Sequence, residues 1–172
     1  AAIPTDSCYA LVCHIGDKAA QARITRIRQL DKQHHFTLLC ADLSELGAYA
    51  QVNKSAYRIL RHYTPGPYTF ILPATRDVPK RLANPKRKTI GMRVPDNAIV
   101  HSLLARLQEP LLSVTLIMPP DSAPLTDANT IVDALDKRVD LIIDGGHCGL
   151  EPTTVVDLET TVPEVLRQGK GD

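Results

Sequence analysis

No apolar run in this sequence approaches the roughly 20 residues that a bilayer-spanning helix needs, and no secretory leader stands at its start. The four cysteines, Cys8, Cys13, Cys40 and Cys148, never fall in Cys-x-x-Cys spacing. Buried reduced thiols are the simplest reading of them, and the cytoplasm the simplest compartment. Neither Gly-x-x-x-x-Gly-Lys-Ser/Thr nor Gly-x-Gly-x-x-Gly occurs, so the P-loop and dinucleotide fingerprints are absent. Any bound nucleotide would have to be held by strand-end hydroxyls and arginines. What is present is a chain of 172 residues, 44% hydrophobic, enough for one domain with a substantial core. It begins at Ala1, without Met, in what reads as the middle of a strand. The start of that strand is expected to be missing.

A formal net charge of +1 hides a division. Residues 1–95 hold 15 Lys and Arg against 6 Asp and Glu, and residues 96–172 hold 5 against 13. A basic half points to an anionic partner such as a nucleotide, RNA or phosphate; the other reading is that the halves pair with each other.

Helical spacing recurs after Asp17, through Ile24, Ile27 and Leu30. It returns from Asp42 to Tyr49, from Asn53 to Tyr63 (with Tyr63 inward), from Asn97 to Leu107, and after Asp127 through Leu135. Short apolar runs predict strands at 36–40, 68–72, 89–94, 111–117, 141–143, 154–158 and 165–167. Residues 73–88, rich in proline and cations, read as a loop with one helical turn. Interleaved helices and strands, with β segments gathered near the end, predict one α/β domain over residues 1–172, built on a twisted open mixed sheet.

Four constellations could carry chemistry. In Ile3-Pro4-Thr5-Asp6-Ser7, Pro4 stops a strand and three short oxygen-bearing side chains follow, which is either a plain turn or the lip of a ligand site. Arg26 and Arg28, with Lys32, His34 and His35 beyond, are either an exposed basic face or a grip for carboxylate or phosphate. Residues two apart on a helix do not share a face, so the two arginines converge only if the helix ends near Leu30-Asp31. Arg93 lies between Met92 and Val94 on a strand, where a charge must face a partner or a cleft. Ser113 and Thr115 share one strand face, as core hydroxyls or as phosphate contacts. The run containing Lys80, Arg81, Lys86, Arg87 and Lys88 has no aromatic residue on which a base could stack.

In order along the chain, Pro4-Thr5-Asp6-Ser7-Cys8-Tyr9-Ala10-Leu11, Arg26-Ile27-Arg28, Pro65-Gly66-Pro67-Tyr68-Thr69-Phe70, Arg93-Val94-Pro95, Pro110-Leu111-Leu112-Ser113, Asp144-Gly145-Gly146, Thr153-Thr154-Val155-Val156-Asp157 and Arg167-Gln168-Gly169 resemble the family of YrdC and YciO proteins, most nearly its YciO branch. The resemblance implies a large basic concave cavity and a threonylcarbamoyl-adenylate synthase-like activity. Such enzymes use ATP with Mg²⁺, L-threonine and bicarbonate, and their product feeds tRNA modification. It also implies binding of double-stranded RNA or tRNA, which without catalysis would be the alternative function.

By position, Arg26, Arg28 and Ser113 would be catalytic. Thr5, Asp6, Ser7, Lys32, Arg93, Thr115, Thr154 and Arg167 would bind substrate or nucleotide. Arg23, Arg58, Arg61, Lys80, Arg81, Lys86, Arg87 and Lys88 would be candidates for RNA contact. No protein-held metal site is expected. Two departures stand out: Arg26-Ile27-Arg28 replaces Lys-x-Arg, and Ile117 replaces an amide that would help hold a metal-bound triphosphate.

Overall fold

The computed structural model describes residues 1–172. Eight strands and five helices follow one another as β1 (Ala2–Ile3), β2 (Ala10–His14), α1 (Lys18–Arg28), β3 (Thr37–Leu39), α2 (Leu43–Tyr49), α3 (Lys54–Tyr63), β4 (Tyr68–Pro73), β5 (Thr89–Arg93), α4 (Ala98–Leu107), β6 (Leu111–Thr115), α5 (Ala128–Leu135), β7 (Thr154–Asp157) and β8 (Glu164–Arg167). The strands form one open mixed sheet in the order β1-β2-β6-β3-β5-β4-β7-β8. Only β3–β5 and β4–β7 pair in parallel.

Each helix starts on a short polar cap. Asp17, Asp42, Asn53, Asn97 and Asp127 accept bonds from backbone N–H groups of the first turn, which would otherwise lack partners. Replacing Asn53, which takes the Ala56 N–H at 2.8 Å, with alanine is expected to cost about 1 kcal/mol in chemical denaturation.

Alternation along the central strands sorts the sheet into two faces. One face carries Leu38, Phe70, Leu72, Ile90, Met92, Leu112 and Val114 into the main core, with Ile24 and Ile27 of α1 and Leu60 of α3. The other face is split. Near β1 and β2, the residues Ile3, Ala10, Val12, Leu39 and Leu111 are closed over by Val100 and Leu104 of α4. Past that contact the same face carries Thr37, Thr69, Gly91, Arg93, Ser113 and Thr115, related through the registers Thr37↔Ser113 and Thr37↔Gly91.

Two expectations are corrected. Leu141-Ile142-Ile143 is no strand: it makes a single bridge, Ala2↔Ile142, because β1 offers only two residues to pair with. Tyr63 is exposed rather than inward, its ring lying against His62 and Tyr68. The stretch up to residue 88 is a loop with single hydrogen-bonded turns, Leu82 N–H to the Pro79 carbonyl and Lys88 N–H to the Asn84 carbonyl, as expected.

The charge division is partly closed across the fold. Arg23 pairs with Asp140, and Arg87 pairs with Asp157 and Glu159. The Arg23–Asp140 pair is exposed on both sides and stabilises little, whereas Asp157 is buried.

Candidate functional site

The part of the sheet face that α4 leaves open is the floor of a cavity of about 320 Å³. Thr37, Thr69, Arg93, Ser113, Thr115 and Val155 line it from the strands, and Ser7 and Cys8 from the turn before β2. Arg28 enters from the end of α1 and Arg167 from β8. An apolar side is made by Ile117, Pro124, Leu150 and Pro152. Between two of these strands Gly91 leaves room for their threonines: a Cβ there would lie 3.3 Å from both Thr37 Oγ1 and Thr69 Cγ2.

The turn from Pro4 to Tyr9 is held from inside and from behind. Thr5 Oγ1 donates to the Cys8 carbonyl at 2.6 Å and accepts the Ser7 N–H at 3.1 Å. Tyr9 Oη donates to the Gly146 carbonyl at 2.6 Å and accepts the Gly145 N–H at 3.1 Å. This seats the Asp144-Gly145-Gly146 turn against Pro4, where any Cβ on Gly145 would overlap the proline ring. Both glycine turn and proline turn are thus parts of one support.

Asp6 and Arg93 form a buried ion pair at 2.7 Å, each side chain 9% exposed. Asp6 also accepts the Asp96 N–H at 2.8 Å, and Arg93 Nη2 reaches Ser7 Oγ at 3.2 Å. Arg93 Nε is buried with no partner. Burial lowers the pKa of this guanidinium and the Asp6 carboxylate opposes that shift; an arginine stays charged in either case. The Arg93 charge is thus met by Asp6 and Ser7 behind the cavity wall that it lines.

Arg28 Nε donates to the Thr115 carbonyl at 2.7 Å, which fixes the guanidinium across the cavity, and burial lowers its pKa. Arg167 is tied to the Thr153 carbonyl at 2.8 and 3.1 Å. Thr153 Oγ1 in turn bonds Thr69 Oγ1 at 2.7 Å. Ser113 Oγ donates to the Thr37 carbonyl at 3.1 Å. Burial pushes the Cys8 thiol up, against the opposing pull of Arg93, so this cavity thiol is protonated at neutral pH and a poor nucleophile.

The structure therefore brings together Ser7, Arg28, Arg93, Ser113, Thr115 and Arg167 from among the expected residues. Others lie elsewhere. Arg26 is exposed and outside the cavity. The helix runs to Arg28, with Gln29 left-handed (φ 52°), so both arginines are helical and, two positions apart, do not share a face. Thr5 is buried with its hydroxyl committed to the turn, and Asp6 stands behind Arg93 rather than in the cavity. Thr154 points to the C-terminal segment, donating to the Gly171 carbonyl at 2.6 Å. Its neighbour Thr153 faces the cavity instead, as strand alternation with Val155 could have indicated. Lys32 opens onto a different cleft.

His34 and His35, just beyond Arg28 in the chain, also line the cavity. Burial first, and then Arg28, lower the pKa of the His34 imidazole. Among the cations considered for RNA, Arg23 and Arg87 are held in ion pairs, and Arg81 donates to the Ile15 carbonyl at 2.6 Å. Arg58, Arg61, Lys80, Lys86 and Lys88 are exposed.

No group of three or more His, Cys, Asp or Glu is placed to hold a metal ion, and no carboxylate lines the cavity. The donor set fits a polyphosphate or carboxylate ligand and does not fit a cation held by the protein alone. No helix is long and apolar enough to cross a membrane.

A family model for Sua5, YciO and YrdC proteins, described as telomere recombination, matches residues 1–169. The uncharacterized protein YciO of Escherichia coli K12 is 54% identical over 169 residues, spanning 98% of this chain and 82% of that protein. The E. coli YciO crystal structure superposes with a TM-score of 0.93, covering 99% of this chain and 84% of the other. A putative threonylcarbamoyl-AMP synthase of Methanocaldococcus jannaschii is 28% identical over 170 residues, 96% of this chain and 77% of that protein. The crystal structure of P. abyssi Sua5 complexed with L-threonine is 25% identical with a TM-score of 0.88, covering 98% of this chain and 49% of that one.

Proposed function

The chain belongs to the Sua5/YciO/YrdC family, and from that premise we propose that its cavity binds ATP and L-threonine and supports formation of threonylcarbamoyl-adenylate. The observation that carries this reading is the gathering of Arg28, Arg93 and Arg167 with threonine and serine hydroxyls around one cavity that contains no carboxylate. Such a site attracts a polyphosphate and a carboxylate group at once and offsets their mutual repulsion. The relative of P. abyssi holds L-threonine, and the M. jannaschii relative is a putative synthase of this adenylate.

The chemistry asks for positioning more than for acid–base groups. The threonine amine and bicarbonate give a carbamate with loss of water. A carbamate oxygen then attacks the α-phosphorus of ATP, the bond to the β-phosphate oxygen breaks, and pyrophosphate leaves. In this chain Arg93, fixed by Asp6, is suited to hold a carboxylate at the cavity floor. Arg28, fixed by the Thr115 carbonyl, is suited to offset charge on the phosphates. Mg²⁺ would arrive with the nucleotide and offset part of its phosphate charge.

The test supplies ATP, L-threonine and bicarbonate and measures pyrophosphate release together with the melting temperature. Product, and an ATP-dependent rise in melting temperature, are expected; absence of both overturns the reading. Ile117 lines the cavity without a ligand atom. Ile117→Asn is expected to tighten Mg-ATP binding by about tenfold in calorimetry, the worth of one added polar contact to a charged group.

A second reading, RNA bound through backbone phosphates, is favoured by the exposed Arg58, Arg61, Lys80, Lys86 and Lys88, none of which forms an ion pair. It requires an affinity that falls steeply with salt. ATP displaces such an RNA only if the two share the cavity.

A further inference from the structure

Of the basic cluster at the end of α1, the proposed chemistry uses only Arg28. Lys32, His34 and His35 also open onto a second cleft, of about 350 Å³, between the α1–β3 loop and the β4–β5 loop. His34 and His35 line both this cleft and the arginine cavity, so that pair of residues stands between the two spaces. Lys32, Lys80 and Arg81 bring three cations to the cleft, and Asp31 the one carboxylate. That carboxylate already accepts the Gln33 N–H at 2.8 Å. Neither lysine forms an ion pair.

Arg81 is fixed in place. Its Nη2 donates to the Ile15 carbonyl at 2.6 Å and its Nε to Gln21 Oε1 at 3.2 Å. The Nη1 pair and the second Nη2 hydrogen remain without a partner. A guanidinium held by the fold, flanked by two ammonium groups on flexible stems, is a donor set for a tetrahedral anion with several oxygens. Lysines without acid partners repel one another and Arg81, and an anion between them relieves that repulsion.

We propose that this cleft is a second anion site, which takes a phosphate group of a ligand whose other end reaches the arginine cavity past His34 and His35. The inference rests on the reading of that cavity as an anion site. The phosphate belongs either to a free oligophosphate, such as pyrophosphate, or to the backbone of a nucleic acid.

Inorganic pyrophosphate titrated calorimetrically into the full chain is the first probe, compared across wild type, Lys32→Glu/Lys80→Glu and Arg28→Ala. The double charge reversal is expected to weaken pyrophosphate binding by more than about tenfold while the melting temperature holds. If it leaves binding unchanged and Arg28→Ala abolishes binding, the cleft proposal is overturned and the cavity reading stands. If neither variant alters binding, or wild type binds no pyrophosphate, both fall. A duplex RNA supplies the second arm. Loss of RNA affinity in the double variant, with pyrophosphate competing, assigns the phosphate to a nucleic-acid backbone. RNA affinity unchanged alongside weakened pyrophosphate binding assigns it to a free oligophosphate.

Discussion

Replacing Asp6 with alanine is expected to destabilise the protein by about 3–5 kcal/mol, because it leaves the buried Arg93 charge without its counter-ion. Burial disfavours this guanidinium, Asp6 offsets that, and one of its donors has no partner even with the pair intact. In the intact protein both side chains are only 9% exposed, so the pair is largely shielded from solvent. For a chain of this size the melting temperature should fall by roughly 10 °C. Urea unfolding checks the free energy directly. Asp6→Ala combined with Arg93→Met removes both charges, and it should recover part of the loss, as buried pairs replaced by apolar groups commonly do. A loss below about 1 kcal/mol for the single change would mean that the charge finds solvent or another partner.

Arg28→Ala should lower ATP affinity by up to about a hundredfold, the upper range for a charge-assisted contact. The cost to the fold should be small. Arg28 gives only one bond to the protein, to the Thr115 carbonyl, and its remaining donors are free for a ligand. Arg28→Lys keeps the charge and loses the planar fork, so an intermediate affinity is expected. The parallel change Arg26→Ala serves as the internal contrast. Arg26 has the same chemistry two residues earlier yet lies exposed outside the cavity, and its loss should leave affinity within about twofold, as for a remote surface charge. Equal effects from the two arginines would contradict the assigned geometry.

That contrast marks what was legible beforehand. Helix periodicity established that Arg26 and Arg28 could not share a mid-helix face, yet where the helix would stop depended on Gln29 taking a left-handed conformation. Strand alternation was sufficient to put Ser113 with Thr115, and would have chosen Thr153 over Thr154 had it been applied there. The three-residue run at 141–143 was apolar enough for a strand, but a strand needs a partner of matching length and β1 supplies two residues. Tyr63 fitted an inward helical position, and neighbouring rings on the surface gave its apolar area somewhere else to go.

The amino-acid order by itself determined the helix starts, through five short polar caps, and the two-faced character of the central strands, through alternation of apolar residues with Thr, Gly, Arg and Ser. Both are local: a cap reaches three residues and a pleat repeats every two. Only the tertiary structure decided which stretch of the polar face stays open. That depends on where α4 closes over Val12, Leu39 and Leu111, and on Arg28, Arg93 and Arg167 arriving from elements far apart in the chain. Charges separated by that much sequence meet only when the sheet brings their strands together, and Asp6 holds Arg93 there once it has.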